Sequence, residues 1–152
     1  MLYPPDNACQ RALQLAREAY EHGETPVGAV LCDEHGTILS EGRNQILEQA
    51  DPSAHAELLA IRDACKRLSS ERLPRTVLIT TLEPCLMCSG LIIHARIPEV
   101  AFMTRSTSWP GLRSLLDNLS SEINHRPSWR LLEDYENSAS ELLTQFFEER
   151  RG

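Results

Sequence analysis

An alternation of two periodicities constrains this chain most. Short apolar runs of strand length are separated by longer runs with apolar residues at helical spacing. Ala8 to Glu21 carries Leu13, Ala16 and Tyr20 at that spacing, with Asp6 or Asn7 as expected cap and Gly23 as stop. Val27–Cys32 reads as a strand, Asp33–Gly36 as a turn and Thr37–Ser40 as the returning strand of an antiparallel hairpin. Gly42 to Gln49 reads as loop. Asp51-Pro52-Ser53 then marks the start of a second helix that runs to about Leu68. Arg75 to Thr81 is rich in β-formers, and Pro84 opens a third helix from Cys85 to about His94. Val100–Met103 is a further strand, followed by a polar loop, Thr104–Ser108, that ends in Trp109-Pro110-Gly111. Leu112 to Leu119 fits a short helix and Trp129–Leu132 a last strand. Ser138 or Ser140 fits the cap of a final helix through Leu142, Leu143, Phe146 and Phe147. Strands alternating with helices require a central sheet covered on both sides. The expectation is a three-layer α/β/α fold with a mixed five-stranded sheet, formed by residues 1–152 as a single domain.

A chain of 152 residues is one domain in size and buries enough surface to fold without a disulfide or a structural metal. Its formal net charge of −7 disfavours indiscriminate binding to nucleic acid, because phosphate contacts need a cationic footprint. A local basic patch is still compatible with that charge. The longest apolar runs, such as Leu91-Ile92-Ile93, stop at His94 and Arg96, far short of the roughly 20 residues needed to cross a bilayer. No membrane partner is expected. The first residues lack the basic and apolar stretches of a signal peptide, and the expected location is cytoplasmic. Five cysteines, two of them spaced C-x-x-C, fit a reducing compartment and a metal or redox site.

Two short stretches carry the chemistry. His55-Ala56-Glu57 lies at the second predicted helix, and Pro84-Cys85-Leu86-Met87-Cys88 at the start of the third. Cysteines three apart at a helix start put both sulfurs on one side of a turn, where free N–H groups favour thiolates. Zinc accepts sulfur and imidazole nitrogen in a tetrahedron. His55, Cys85 and Cys88 supply three ligands and leave one position for water, the arrangement of catalytic rather than structural zinc. The expected cofactor is one Zn2+ per chain. Glu57 can face that water without being a ligand, take its proton and deliver it to a leaving amine. This combination fits hydrolysis of an amidine-like carbon with loss of ammonia, which is deamination of a nucleobase. Two plainer readings stand beside it. Cys9, Cys32 or Cys65 would close the zinc site as a fourth ligand, or the C-x-x-C would be a thioredoxin-like redox pair. The second leaves His55 and Glu57 without a purpose.

H-x-E followed by P-C-x-x-C is an established signature of zinc-dependent base deaminases, and with it the sequence resembles the cytidine deaminase superfamily. Within that superfamily the chain most resembles the bacterial tRNA-specific adenosine deaminases, over nearly its whole length. The matching segments are Pro26–Val30, Gly42-Arg43-Asn44, Asp51–Glu57, Thr81–Gly90, Ile93–Ile97, Asn124-His125-Arg126 and Leu142 to Phe147. The resemblance implies a cytidine-deaminase-like fold and conversion of adenosine to inosine in a tRNA anticodon loop. It also implies a hydrogen bond from Asn44 to the base, a base-edge contact from the Ala56 N–H, a pocket wall at Val27 and a homodimer joined partly through the second ligand helix. Two segments depart from the family pattern. The loop after the fourth strand reads Arg105-Ser106-Thr107-Ser108-Trp109-Pro110-Gly111-Leu112, and Phe146-Phe147 is followed by Glu148 and Glu149 before Arg150 and Arg151.

Trp109 fits a base-stacking contact, a cap over a pocket for a free purine, or a cover for the core. His125 fits either substrate contact or packing. The acidic balance and the altered loop favour a rival substrate class: a free purine, pterin, triazine or other small aminated heterocycle. A zinc-stabilised RNA-docking subunit without activity is a further alternative, and it predicts no effect of replacing Glu57.

Overall fold

The computed structural model describes residues 4–119 and 121–151. The described chain contains helices α1 (Asp6–Glu21), α2 (Ala56–Leu68), α3 (Leu86–His94), α4 (Leu112–Leu119) and α5 (Glu136–Arg151). Its strands are β1 (Gly28–Asp33), β2 (Ile38–Arg43), β3 (Thr76–Leu82), β4 (Glu99–Thr104) and β5 (Ser128–Leu131). They form a five-stranded sheet in the order β2-β1-β3-β4-β5. β1 pairs antiparallel with β2 and β3, whereas β3–β4 and β4–β5 are parallel. The sheet is therefore mixed.

The inner strands read as continuous apolar runs because both their faces are covered. Ala29, Leu31, Leu78, Val100 and Phe102 point to one face, where Ala60, Ile61, Ile92 and Leu116 pack from α2, α3 and α4. Val30, Cys32, Val77, Ile79, Ala101 and Met103 point to the other, against Ala12 and Leu13 of α1 and Ala139 of α5. These two apolar layers make the three-layer sandwich.

Several boundaries differ from the sequence expectation. α1 starts at Asp6, with Pro5 in the cap position and no side-chain cap. Asp6 instead accepts a hydrogen bond from the Tyr135 hydroxyl. β2 continues through Gly42 and Arg43, because these pair with Ala29 and Gly28. α2 begins at Ala56: the Asp51 carboxylate accepts from the Ser53 N–H at 2.8 Å and hydroxyl at 2.7 Å, closing a turn instead of a helix. A 3-10 turn, Glu133–Tyr135, leads into α5, so Ser138 and Ser140 lie within that helix rather than capping it.

Candidate metal centre and substrate pocket

The helix starts of α2 and α3 build the centre. His55 and Cys85 are the cap residues of these helices, each in an extended conformation. Chain entering a helix in this way projects the cap side chain beside the first turn, near its unpaired N–H groups. Gly42 fixes how close α2 can come. A Cβ there would lie 2.4 Å from the Ala56 carbonyl oxygen, so the helix start rests directly on the β2 backbone. The Ser40 hydroxyl ties the same contact by donating to the Ala60 carbonyl at 2.7 Å.

The ligand atoms of His55, Cys85 and Cys88 all lie within 4.8 Å of one another. Cys85 Sγ is 3.6 Å from His55 Nδ1. Zinc–sulfur and zinc–nitrogen bonds of about 2.3 and 2.0 Å at a tetrahedral angle span an S···N edge of roughly 3.5 Å, so the donor set fits that ion. The Pro52 backbone also favours the protonated His55 ring. Among the described residues this cluster has no fourth cysteine. Cys9 and Cys32 are buried in the opposite apolar layer, and Cys65 packs beside α2's own core face. The closed four-ligand site is thereby excluded for the described residues.

Local electrostatics prepare the sulfurs. The neighbouring Cys88 thiol, aided by His55 and a backbone N–H and opposed by burial, lowers Cys85 to about 4. The adjacent Cys85 sulfur and then burial raise Cys88, although the Leu58 N–H favours its thiolate. A metal ion bound between them would displace the proton that either sulfur retains. Burial lifts the Glu57 carboxyl to about 7, opposed by its own backbone N–H and by His55. Glu57 is buried in the first turn of α2, outside the ligand cluster. Such a carboxyl exchanges protons near neutrality.

A pocket of about 480 Å3 opens onto the centre, lined by Val27, Asn44, His55, Glu57, Cys85 and Trp109 among others. This volume suits a small ligand or a single base. The Ala56 N–H does not reach it: that group donates to Asn44 Oδ1 at 2.8 Å, and Ala56 is fully buried. With its oxygen engaged, Asn44 has its amide nitrogen left as a donor. Trp109 is 78% exposed, so it neither covers the core nor closes the pocket. It stands instead between this pocket and a second one of about 540 Å3, which runs to Leu143, Phe147 and Arg151 of α5. Thr25, Leu82, Ser106 and Trp109 line both cavities.

The sequence reading missed Thr25, Ile46, Leu82, Glu83, Met87 and Ser106 as pocket residues. Leu82 and Glu83 flank the zinc motif and Met87 lies within it, and that proximity is the one signal that marks them. Ile46 and Ser106 reach the pocket only through loop conformation. His125 belongs to the packing: its Nε2 is 2.8 Å from the Ile97 carbonyl oxygen. Among the described residues, no helix is long and apolar enough to cross a membrane.

Comparison with known proteins agrees with this geometry. Residues 4–104 match the family described as "Cytidine and deoxycytidylate deaminase zinc-binding region". A tRNA-specific adenosine deaminase from Aquifex aeolicus is 43% identical, over 92% of this chain and 91% of its own length. A structure from studies of A-to-I editing by tRNA:A34 deaminases at the wobble position of transfer RNA superposes with a TM-score of 0.85 and 34% identity. That match covers 91% of this chain and 100% of the other. A guanine deaminase from Bacillus subtilis gives a TM-score of 0.65 and 30% identity, over 99% and 96% of the two chains. The chain is a zinc-binding deaminase and belongs to the cytidine and deoxycytidylate deaminase family, alongside the tRNA-specific adenosine deaminases.

Proposed function

We propose that this enzyme deaminates adenosine to inosine in the anticodon loop of a tRNA, with residues 1–152 acting as one deaminase domain. One observation carries the substrate class. The metal pocket shares its rim with a second cavity along α5. A free base fills only the first, whereas an RNA strand with its target base splayed out has flanking nucleotides to place in the second. The rival reading, a small free heterocycle, calls for a closed pocket capped by Trp109, and that side chain is 78% exposed. The tRNA-specific relatives support the same choice.

His55, Cys85 and Cys88 would hold the ion. A zinc ion bound there lowers the pKa of a water toward neutrality. Glu57 then accepts a proton from the attacking water and returns it to the exocyclic nitrogen. A C–O bond forms at the purine C6, the C–N bond breaks, and ammonia leaves. Asn44, pinned through its oxygen, presents its amide nitrogen to the base. Val27 forms one wall, Ala56 holds Asn44 in place, and Trp109 offers a ring for base stacking.

A homodimer fits α3. Ile92 and Ile93 are buried under this helix while Leu86 and Met87 remain 46% and 41% exposed, so apolar residues occupy its inner and outer faces. The five cysteines are free, which supports a cytoplasmic location. The test is incubation of zinc-loaded protein with a tRNA transcript and, separately, with free adenosine, adenine and guanine. Inosine in the transcript is the expected product. Ammonia from a free base, with the transcript unchanged, would overturn the proposal.

A further inference from the structure

Two carboxylates that take no part in metal binding lie buried beside the pocket: Glu24 at 2% exposure and Glu83 at 3%. A buried carboxylate is costly unless its oxygens are met by donors. Both are met, Glu24 by the loop after β2 and Glu83 by the loop after β4 together with Arg113 at the start of α4.

Glu24 takes the Leu47 N–H on Oε1 at 3.1 Å and the Glu48 N–H on Oε2 at 2.8 Å. These N–H groups open a single helical turn, closed by bonds from Gln49 N–H to the Gln45 carbonyl and from Asp51 N–H to the Ile46 carbonyl. Asn44 precedes the turn and Ile46 lies in it, and both line the pocket. Glu83 grips the opposite rim. Its Oε1 accepts from the Ser106 N–H at 3.0 Å and from Arg113 Nε at 3.0 Å and Nη2 at 2.9 Å, while Oε2 accepts from the Arg113 N–H at 2.9 Å. Ser106 and Arg113 bracket the segment that carries Trp109 and Pro110. Gly111 lets this segment lie flat against the zinc-ligand strand-to-helix turn, since a Cβ there would be 2.8 Å from the Pro84 carbonyl oxygen and 3.0 Å from Glu83 Oε2.

We infer that Glu24 and Glu83 are positioning residues, each pinning one rim of the substrate pocket, so that they govern capture of the RNA loop rather than the chemical step. This rests on the reading of the pocket as the site for an RNA base. The chemistry requires carboxylates in both places. Every contact to these side chains is a donor, and an amide of the same shape would turn its own NH2 towards one of them.

Glu24→Gln and Glu83→Gln, each loaded with zinc to the wild-type level, test the inference in two ways. Amide hydrogen exchange reads the pins directly. Exchange at Leu47 and Glu48 rises about fivefold or more in Glu24→Gln, at Ser106 and Arg113 in Glu83→Gln, and in neither variant at the opposite rim. Kinetics on a tRNA anticodon stem–loop read the consequence: KM rises about tenfold or more, with kcat per bound zinc changed less than about threefold. A carboxylate that only stabilised the fold would speed exchange throughout the chain and leave KM unchanged, and that result overturns the inference. A fall in kcat with constant KM overturns it as well. Glu24→Asp and Glu83→Asp, which keep the charge and shorten the side chain, are second variants in case the amides do not fold, and each should loosen the same rim. A wild-type enzyme silent on RNA would sink the substrate reading alone. The loop-specific exchange would then decide whether the pins exist.

Discussion

Glu57 is the residue on which turnover is proposed to depend. It is buried, it faces the pocket, and it stands outside the ligand cluster. Glu57→Gln keeps its shape and removes its ability to carry a proton. Ammonia release should fall by about 10^2 to 10^4-fold, a range typical of lost general acid–base catalysis. Zinc content, measured by atomic absorption, should stay at the wild-type level. Loss of zinc with activity would instead make Glu57 a structural residue. Trp109 belongs to the same scale, with substrate binding as its proposed role. Its side chain is largely in solvent, so Trp109→Ala should leave the thermal midpoint nearly unchanged. A lost base stack is worth about 1–3 kcal/mol, and KM for an RNA substrate should rise accordingly, while kcat holds.

At the element scale, the approach of α2 to β2 sets where His55 and Glu57 stand. Gly42→Ala would drive a methyl group into the Ala56 carbonyl and the Ala60 N–H, at 2.4 and 3.0 Å. Overpacking of this kind costs about 1–3 kcal/mol, and the shift falls on the ligand helix. Lower stability in urea unfolding and weaker zinc retention against a chelator are expected together. The ligand set was legible in the sequence because H-x-E and P-C-x-x-C are local patterns with a chemical reason. The exact start of α2 was not. Asp51-Pro52-Ser53 has the composition of a helix cap, yet the Asp51 carboxylate closes its own turn and the helix waits for Ala56. Gly42 and Arg43 looked like loop because their pairing partners, Ala29 and Gly28, lie more than ten residues earlier in sequence. Glu24 and Glu83 gave no local signal, since the amides they hold come from residues 23 to 30 positions away.

Over the whole molecule, the mixed sheet ties the metal centre to two apolar layers. Phe102 is fully buried on β4 and stacks on Trp129 of β5, with ring centroids 5.4 Å apart. Phe102→Ala should lower unfolding stability by about 3–5 kcal/mol, with zinc content per folded chain unchanged. The alternation of strands and helices made this architecture legible, because each inner strand is apolar on both faces. The continuity of the two cavities was not legible, because it depends on how the loop around Trp109 lies beside α5. Strip the metal with a chelator, and the loss of activity should reverse on adding zinc but not magnesium, since two sulfurs and an imidazole favour the softer ion.

Anomalous scattering at the zinc absorption edge from crystals of the metal-loaded protein tests the central claim most directly. One peak per chain is expected, within about 2.0–2.4 Å of His55 Nδ1, Cys85 Sγ and Cys88 Sγ, with the fourth corner taken by solvent beside Glu57. A peak elsewhere, or a fourth protein ligand on the ion, would contradict the claim.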